Sequence, residues 1–163
     1  MYWQSVADAL RHELAEYGAL LHLFEQQQEN LFNRDVDTVL HLAGLIEEQA
    51  RILQDCRDQR EQCVAQLAAS LGVTGAYTLR SLLPQVEADA RPLLEALVNE
   101  VNHLLHRVRR TSRHNHLLLS RTLEMHQETL RHLRPDAFTQ TYSPSGRVSL
   151  AALHATPSLR AAG

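Results

Sequence analysis

The sequence predicts an all-α protein: an elongated antiparallel bundle of three long helices with a short connecting helix and an irregular C-terminal tail. Three observations carry that prediction. Leu, Ala, Gln, Glu and Arg dominate the 163 residues, and all of them favour helices. Apolar residues recur at alternating spacings of three and four through stretches of four heptads, the period of a helical seam. Six Gly and five Pro lie mostly in two places, so long segments are free of helix breakers. Aromatic residues make up only 5% of the chain, which leaves Leu as the main seam residue. At this length one domain with a real core is expected.

The first helix spans about residues 3–32, with Trp3, Ala7, Leu10, Leu14, Tyr17, Leu21, Phe24, Gln28 and Leu31 along its seam. Gly18 interrupts it at an exposed position, at a cost of about 1 kcal/mol against Ala. Asn33-Arg34-Asp35 breaks the run. Asp35 is suited to cap the next helix, and Asp37 adds a favourable charge in its first turn. That second helix covers about 35–71, along Val39, Leu42, Ile46, Gln49, Leu53, Cys56, Arg60, Cys63 and Leu67. Arg60 is expected to snorkel or to pair with an acid of the first helix. The short connection favours an antiparallel hairpin over a kinked rod.

Gly72-Val73-Thr74-Gly75 supplies a C-cap and a turn. A short helix over about 79–83 follows and stops before Pro84. The third long helix covers about 89–133, with Pro92 in its first turn, where a missing N–H costs little. Leu94, Leu97, Val101, Leu104 and Val108 form its seam. Beyond Asn115 the seam shifts to Leu119, Leu123, Leu130 and Leu133. Arg134-Pro135 ends it, because a residue before Pro avoids the helical region. Residues 1–134 are thus the helical bundle. Residues 135–163 are a flexible Pro/Ser/Ala-containing tail, whose isolated apolar residues (Phe138, Tyr142, Val148, Leu150, Leu153, Leu159) cannot build a core.

The chain has sixteen Arg and no Lys, and a net charge of −3. So mild a charge argues against strong attraction to nucleic acid. The distribution is uneven: residues 1–71 hold twelve acids against five bases, and 103–134 hold two Glu against seven Arg. Oppositely charged helices packing together explain this most simply. An Arg107–Arg121 nucleic-acid face would lack interleaved aromatics. Cys56 and Cys63 lie about 10 Å apart along a helix, too far for a disulfide, and fit reduced apolar fillers in a cytosolic protein. No segment has the pattern of a signal peptide or of a membrane span, so no stable membrane insertion is expected.

Ten histidines invite a metal reading. His103 and His106 lie three apart, and His114 and His116 flank Asn115. There is no HExxH, and the cysteines sit on another helix, so solvated helix histidines are the simpler account. No nucleophile elbow or phosphate loop is present, and no enzyme activity, cofactor or metal is expected. Asn115 has two readings. It either fixes helix register from within the seam, as a buried Asn does in coiled coils, or contacts a partner.

Helix lengths add one more inference. At 1.5 Å per residue, a third helix of roughly 45 residues would extend about 15 Å beyond a 35-residue neighbour that starts level with it. Leu119, Leu123, Met125, Leu130 and Leu133 would then lack a full set of internal partners, which marks an interaction surface for another helix.

The run His114-Asn115-His116-Leu117-Leu118-Leu119, the heptad-like stretch to Leu133, Arg134-Pro135, and Thr141-Tyr142-Ser143-Pro144-Ser145-Gly146 together resemble the FlgN family. So do the Arg34-Asp35 turn and the glycine break before a short helix. The resemblance implies a cytoplasmic export chaperone. Its partners would be hook-associated (hook–filament junction) proteins, held by their C-terminal helical segment, and the flagellar type III export apparatus. The implied substrate-binding region corresponds to about 113–133, with Asn115, Leu118, Leu119, Thr122, Leu123, Met125, Leu130 and Leu133 as the expected contacts. Tyr142 is the implied export-gate contact. Ser143 departs from the Gly that often follows this Tyr in the family. The competing reading is a self-associating coiled-coil scaffold or adaptor.

Overall fold

The computed structural model describes residues 2–133 and the backbone of 138–142 and 148–152. The helices are α1 (Tyr2–Phe32), α2 (Val36–Ser70), α3 (Leu79–Leu82) and α4 (Arg91–Leu133), with a single 3-10 turn over Leu83–Gln85 between α3 and α4. Each long helix lies within about two residues of its sequence expectation. Pro84 does not simply end the short helix; it sits early in the 3-10 turn, where its missing N–H is harmless.

The two turns that bracket α2 show how the sequence places helix ends. At the end of α1, Asp35 N–H reaches Asn30 O at 3.0 Å and Arg34 N–H reaches Leu31 O at 3.3 Å. This is a Schellman ending, and it puts Arg34 in the left-handed region at φ 58°. Asp35 then caps α2 at once. Its carboxylate accepts from Thr38 N at 3.1 Å and from Thr38 Oγ1 at 2.7 Å. At the end of α2, Val73 N–H bonds Ala68 O at 3.0 Å, and Gly72 takes the left-handed position at φ 69°. The second turn uses the residue such a position favours; the first does not. At α3, Thr78 and Ser81 form a reciprocal capping box.

Residues 1–118 make one compact unit. In it α1 and α2 are antiparallel: Glu13 pairs with Arg60, Glu16 with Gln49 and Tyr17 with Arg57. The core runs from Val6, Ala7 and Leu10 of α1 through Leu67 and Ala68 of α2 to Leu82, Leu83, Val86, Ala90 and Leu94. The α2 seam is as expected, with Val39, Leu42, Leu53, Cys56 and Leu67 buried and its other members half-buried. α1 buries more than one seam, adding Val6, Ala9, Glu13, Leu20 and Gln27, because it faces both other long helices. Cys56 and Cys63 are free thiols. Burial and nearby carboxylates (Glu16, Glu13 and Asp55) push the Cys56 thiol up, so it stays neutral filler.

Arg60 does pair with an acid of α1. Its Nε lies 3.0 Å from Glu13 Oε2, and Glu13 is 2% exposed. Burial nevertheless outweighs Arg60 and Arg57 and raises the Glu13 pKa above the ordinary carboxylate value. Next to it, Arg57 donates to the Tyr17 hydroxyl and lies over the Tyr17 ring.

Residues 119–163 form the second unit, which contains the last turns of α4 and a two-stranded antiparallel ladder. β1 (Phe138–Tyr142) pairs with β2 (Val148–Ala152), with Phe138 opposite Ala152 and Tyr142 opposite Val148. This short ladder lies within the stretch expected as an irregular C-terminal tail. Phe, Thr, Tyr and Val favour strands, and Ser-Pro-Ser-Gly between the two runs is a turn signal. Of the apolar residues that look isolated along the chain, Phe138, Tyr142 and Val148 are strand ends and Leu150 lies within β2. The Arg134-Pro135 stop and the Ser143–Gly146 part of the motif lie outside the described residues.

Candidate functional site: the C-terminal half of α4

α4 buries a strict seven-residue repeat: Leu94, Val101, Val108 and Asn115. Such a repeat keeps one line of a helix turned toward its neighbours. Asn115 is 1% exposed. Its amide donates to Phe24 O at 2.8 Å and to Gln27 Oε1 at 3.1 Å, both on α1. Its Oδ1 is buried without a hydrogen bond among the described residues. One residue earlier, the Gln28 amide donates to His114 Nδ1 at 2.7 Å. Arg107 reaches Glu25 at 3.5 Å. A polar clamp therefore ties α4 to α1 at the end of the buried repeat.

Asn115 thus sits among helix partners rather than on an open surface, the arrangement expected of a register-fixing residue. The sequence pattern singled out Asn115 and His114 and put Gln28 in the α1 seam, but it pointed neither to Gln27 nor to the pairing of these residues. Their signal would have been the alignment of polar residues at one level of two seams, which requires knowing the register of α1 against α4.

Past Asn115 the apolar line continues and its burial stops. Leu119, Leu123, Leu130 and Leu133 follow at spacings of four, seven and three, so they keep to the side of the helix that carries Leu94 and Val108. Leu119 is half-buried, whereas Leu123 is 61% exposed, Leu130 49% and Leu133 72%. Every residue from 121 to 133 is exposed, Thr122 among them. Leu118 is half-buried on a neighbouring line. Met125 is 64% exposed and lies on another face, so it does not align with the leucines. Leu117, which the sequence motif contains, is exposed on the side away from the buried repeat. Tyr142 closes β1, opposite Val148.

The arrangement offers an apolar helix line without side-chain chemistry. Among the described residues no three His, Cys, Asp or Glu side chains gather as metal ligands, and no helix is long and apolar enough to cross a membrane. Shallow clefts lie elsewhere in the first unit, one of about 330 Å³ beside Arg80, Pro84, Glu95 and Asn99 and another of about 230 Å³ beside Trp3, Leu71 and Val86.

Comparison with curated proteins and with solved structures finds no match. The family model described as FlgN protein matches residues 1–149, which takes in all four helices, the exposed leucine line and β1. The chain therefore belongs to the FlgN family, a family of flagellar export chaperones.

Proposed function

We propose that this chain is a cytosolic chaperone that holds the C-terminal helical segment of hook–filament junction proteins on the C-terminal half of α4. The observation that carries the proposal is the leucine line of 119–133, which has core spacing and surface exposure at once. An amphipathic client helix would remove those side chains from water, at about 25 cal/mol per Å² of apolar surface. Met125, on another face of the helix, stands outside this line, so the leucines make the contact without it. Asn115 contributes by holding the register of α4 on α1. Tyr142, at the end of β1, is the contact through which the loaded chaperone addresses the export gate.

The test is titration of the full chain with a C-terminal peptide of a junction protein. Leu119→Asp with Leu130→Asp should abolish 1:1 binding while helicity measured by circular dichroism persists. Unchanged binding would remove the site from this line. Tyr142→Ala should leave client affinity intact and block delivery to the export apparatus. A loss of client affinity in that variant would instead place the tyrosine in the binding surface.

A further inference from the structure

The α1–α2 turn and the start of α2 gather three features that destabilise the fold and that no packing in the first unit explains. Phe32, the last residue of α1, and Val36 and Leu40 of α2 are each at least 60% exposed. Between them Arg34 holds the left-handed conformation at φ 58°, which Gly adopts more readily, as Gly72 does after the other end of α2. Gly44 lies exposed inside α2, where Gly is a poor helix former, yet a Cβ added there would meet nothing within 4 Å. The tip thus keeps a side chain where Gly would relieve the backbone, and lacks one where any would fit.

Val36, Leu40 and Gly44 follow at steps of four, so they form one row along α2, about 12 Å long at 1.5 Å per residue. Gly44 leaves a notch in that row, and a notch in such a ridge admits a side chain of a second helix. The Arg34 guanidinium makes no ion pair among the described residues. Asp37 and Glu47 flank the row, and Glu29 lies one turn before Phe32. All three are exposed and also make no ion pair among the described residues. Between Arg11 and Arg51 the chain holds eight acids, and Arg34 is its one Lys or Arg.

We propose that this tip docks an amphipathic helix of a partner protein, one whose apolar row is flanked by basic residues. The apolar row lies along Val36 and Leu40, and one of its side chains enters the notch at Gly44. Arg or Lys on its flanks meets Asp37 and Glu47. Arg34 donates to the carbonyls left free at the end of that helix. The acidic surroundings repel nucleic acid and anionic lipid, and a helical surface has no strand edge for an extended peptide to join. A basic helix is therefore the favoured occupant. The site lies in the first unit and does not depend on the client line of α4.

Selection from a displayed library of helical peptides, with a fixed apolar row and randomised charge on both flanks, tests this. The bait is the full chain carrying Leu119→Asp and Leu130→Asp, which silences the proposed client line and keeps the two readings separable. The selected helices are expected to carry Arg or Lys on their flanks and to bind 1:1. Leu40→Asp puts a charge into the apolar contact and should weaken them about tenfold or more. Arg34→Gly and Gly44→Gln should each raise the melting temperature and weaken binding by about tenfold. A residue that served folding alone would not move the two in opposite directions. Asp37→Asn with Glu47→Gln should weaken binding at low salt and flatten its salt dependence.

A library that yields no binder would overturn the proposal, as would selected helices with acidic flanks. So would binding that Leu40→Asp and Gly44→Gln leave unchanged. Self-association of the full chain that Leu40→Asp removes would also overturn it, since the tip would then be a contact between copies. Circular dichroism checks that each variant is folded, and Leu40→Ser replaces Leu40→Asp if helicity falls.

Discussion

From Leu94 to Asn115, α4 buries one residue in every seven; from Leu119 to Leu133 the same line of the helix carries four leucines and fully buries none. The two halves share composition and period, and they differ in what stands opposite. The first half has α1 against it, with Leu94 in one continuous core with Val6, Leu10 and Leu82. In the second half solvent reaches every residue from 121 onward. Helical periodicity thus records which face is built to be covered, without recording whether the cover belongs to the same chain. That distinction separates a folding surface from a binding surface.

The largest effect should come from pressing the comparison directly. Leu94→Ala removes a fully buried side chain and should destabilise the first unit by about 2–5 kcal/mol. Leu130→Ala, half exposed on the same line, should stay within about 0.5 kcal/mol of the parent in urea unfolding. Equal losses at the two sites would break the comparison. At the boundary, Asn115→Ala deprives the Gln27 carbonyl of its donor and should cost about 1–3 kcal/mol. If Asn115 only fixes register, the remaining client affinity should fall no further than the lost fold accounts for.

Glu13 sharpens the account of the first unit alone. Its carboxyl is raised in the folded protein, so folding favours the neutral form. Stability from this group is fully present below the ordinary carboxylate pKa and is lost as pH rises through the raised value. Glu13→Gln resembles the neutral form throughout. Parent and variant should therefore be closest in acid, and the variant should gain on the parent toward neutral pH. Melting curves across that range check the sign. The opposite trend would mean that Arg60 stabilises the carboxylate more than burial penalises it.

Much of this was legible in the residues, and the exceptions have physical causes. Heptad spacing located α1, α2 and α4, because a seam is a one-dimensional pattern. It missed the second buried line of α1, including Glu13 and Gln27, because that line exists only where two neighbours flank one helix. It missed the β1–β2 ladder, since five-residue strands carry too few alternations to stand out in a Ser- and Pro-containing stretch. At the candidate site, the leucines after Asn115 were visible from spacing and helix length. The partners of Asn115 were not, because they depend on the register of two helices separated by 90 residues of chain or so.

A small stabilisation in the α1–α2 turn tests whether the two halves of α4 are energetically separate. Arg34 occupies the left-handed position of the α1–α2 turn at φ 58°, where a side chain costs about 1–2 kcal/mol and Gly costs little. Gly gives back part of that gain through the greater freedom of the unfolded chain. Arg34→Gly should therefore stabilise the protein by a net amount of roughly 0.5–1 kcal/mol. Asp35 remains in place to cap α2, so the turn itself is kept. If the C-terminal half of α4 contributes little to folding, a firmer α1–α2 hairpin should leave its client affinity unchanged. Affinity that shifted along with stability would show that the exposed line reads the state of the bundle, and the division between a folding half and a binding half of α4 would have to be given up.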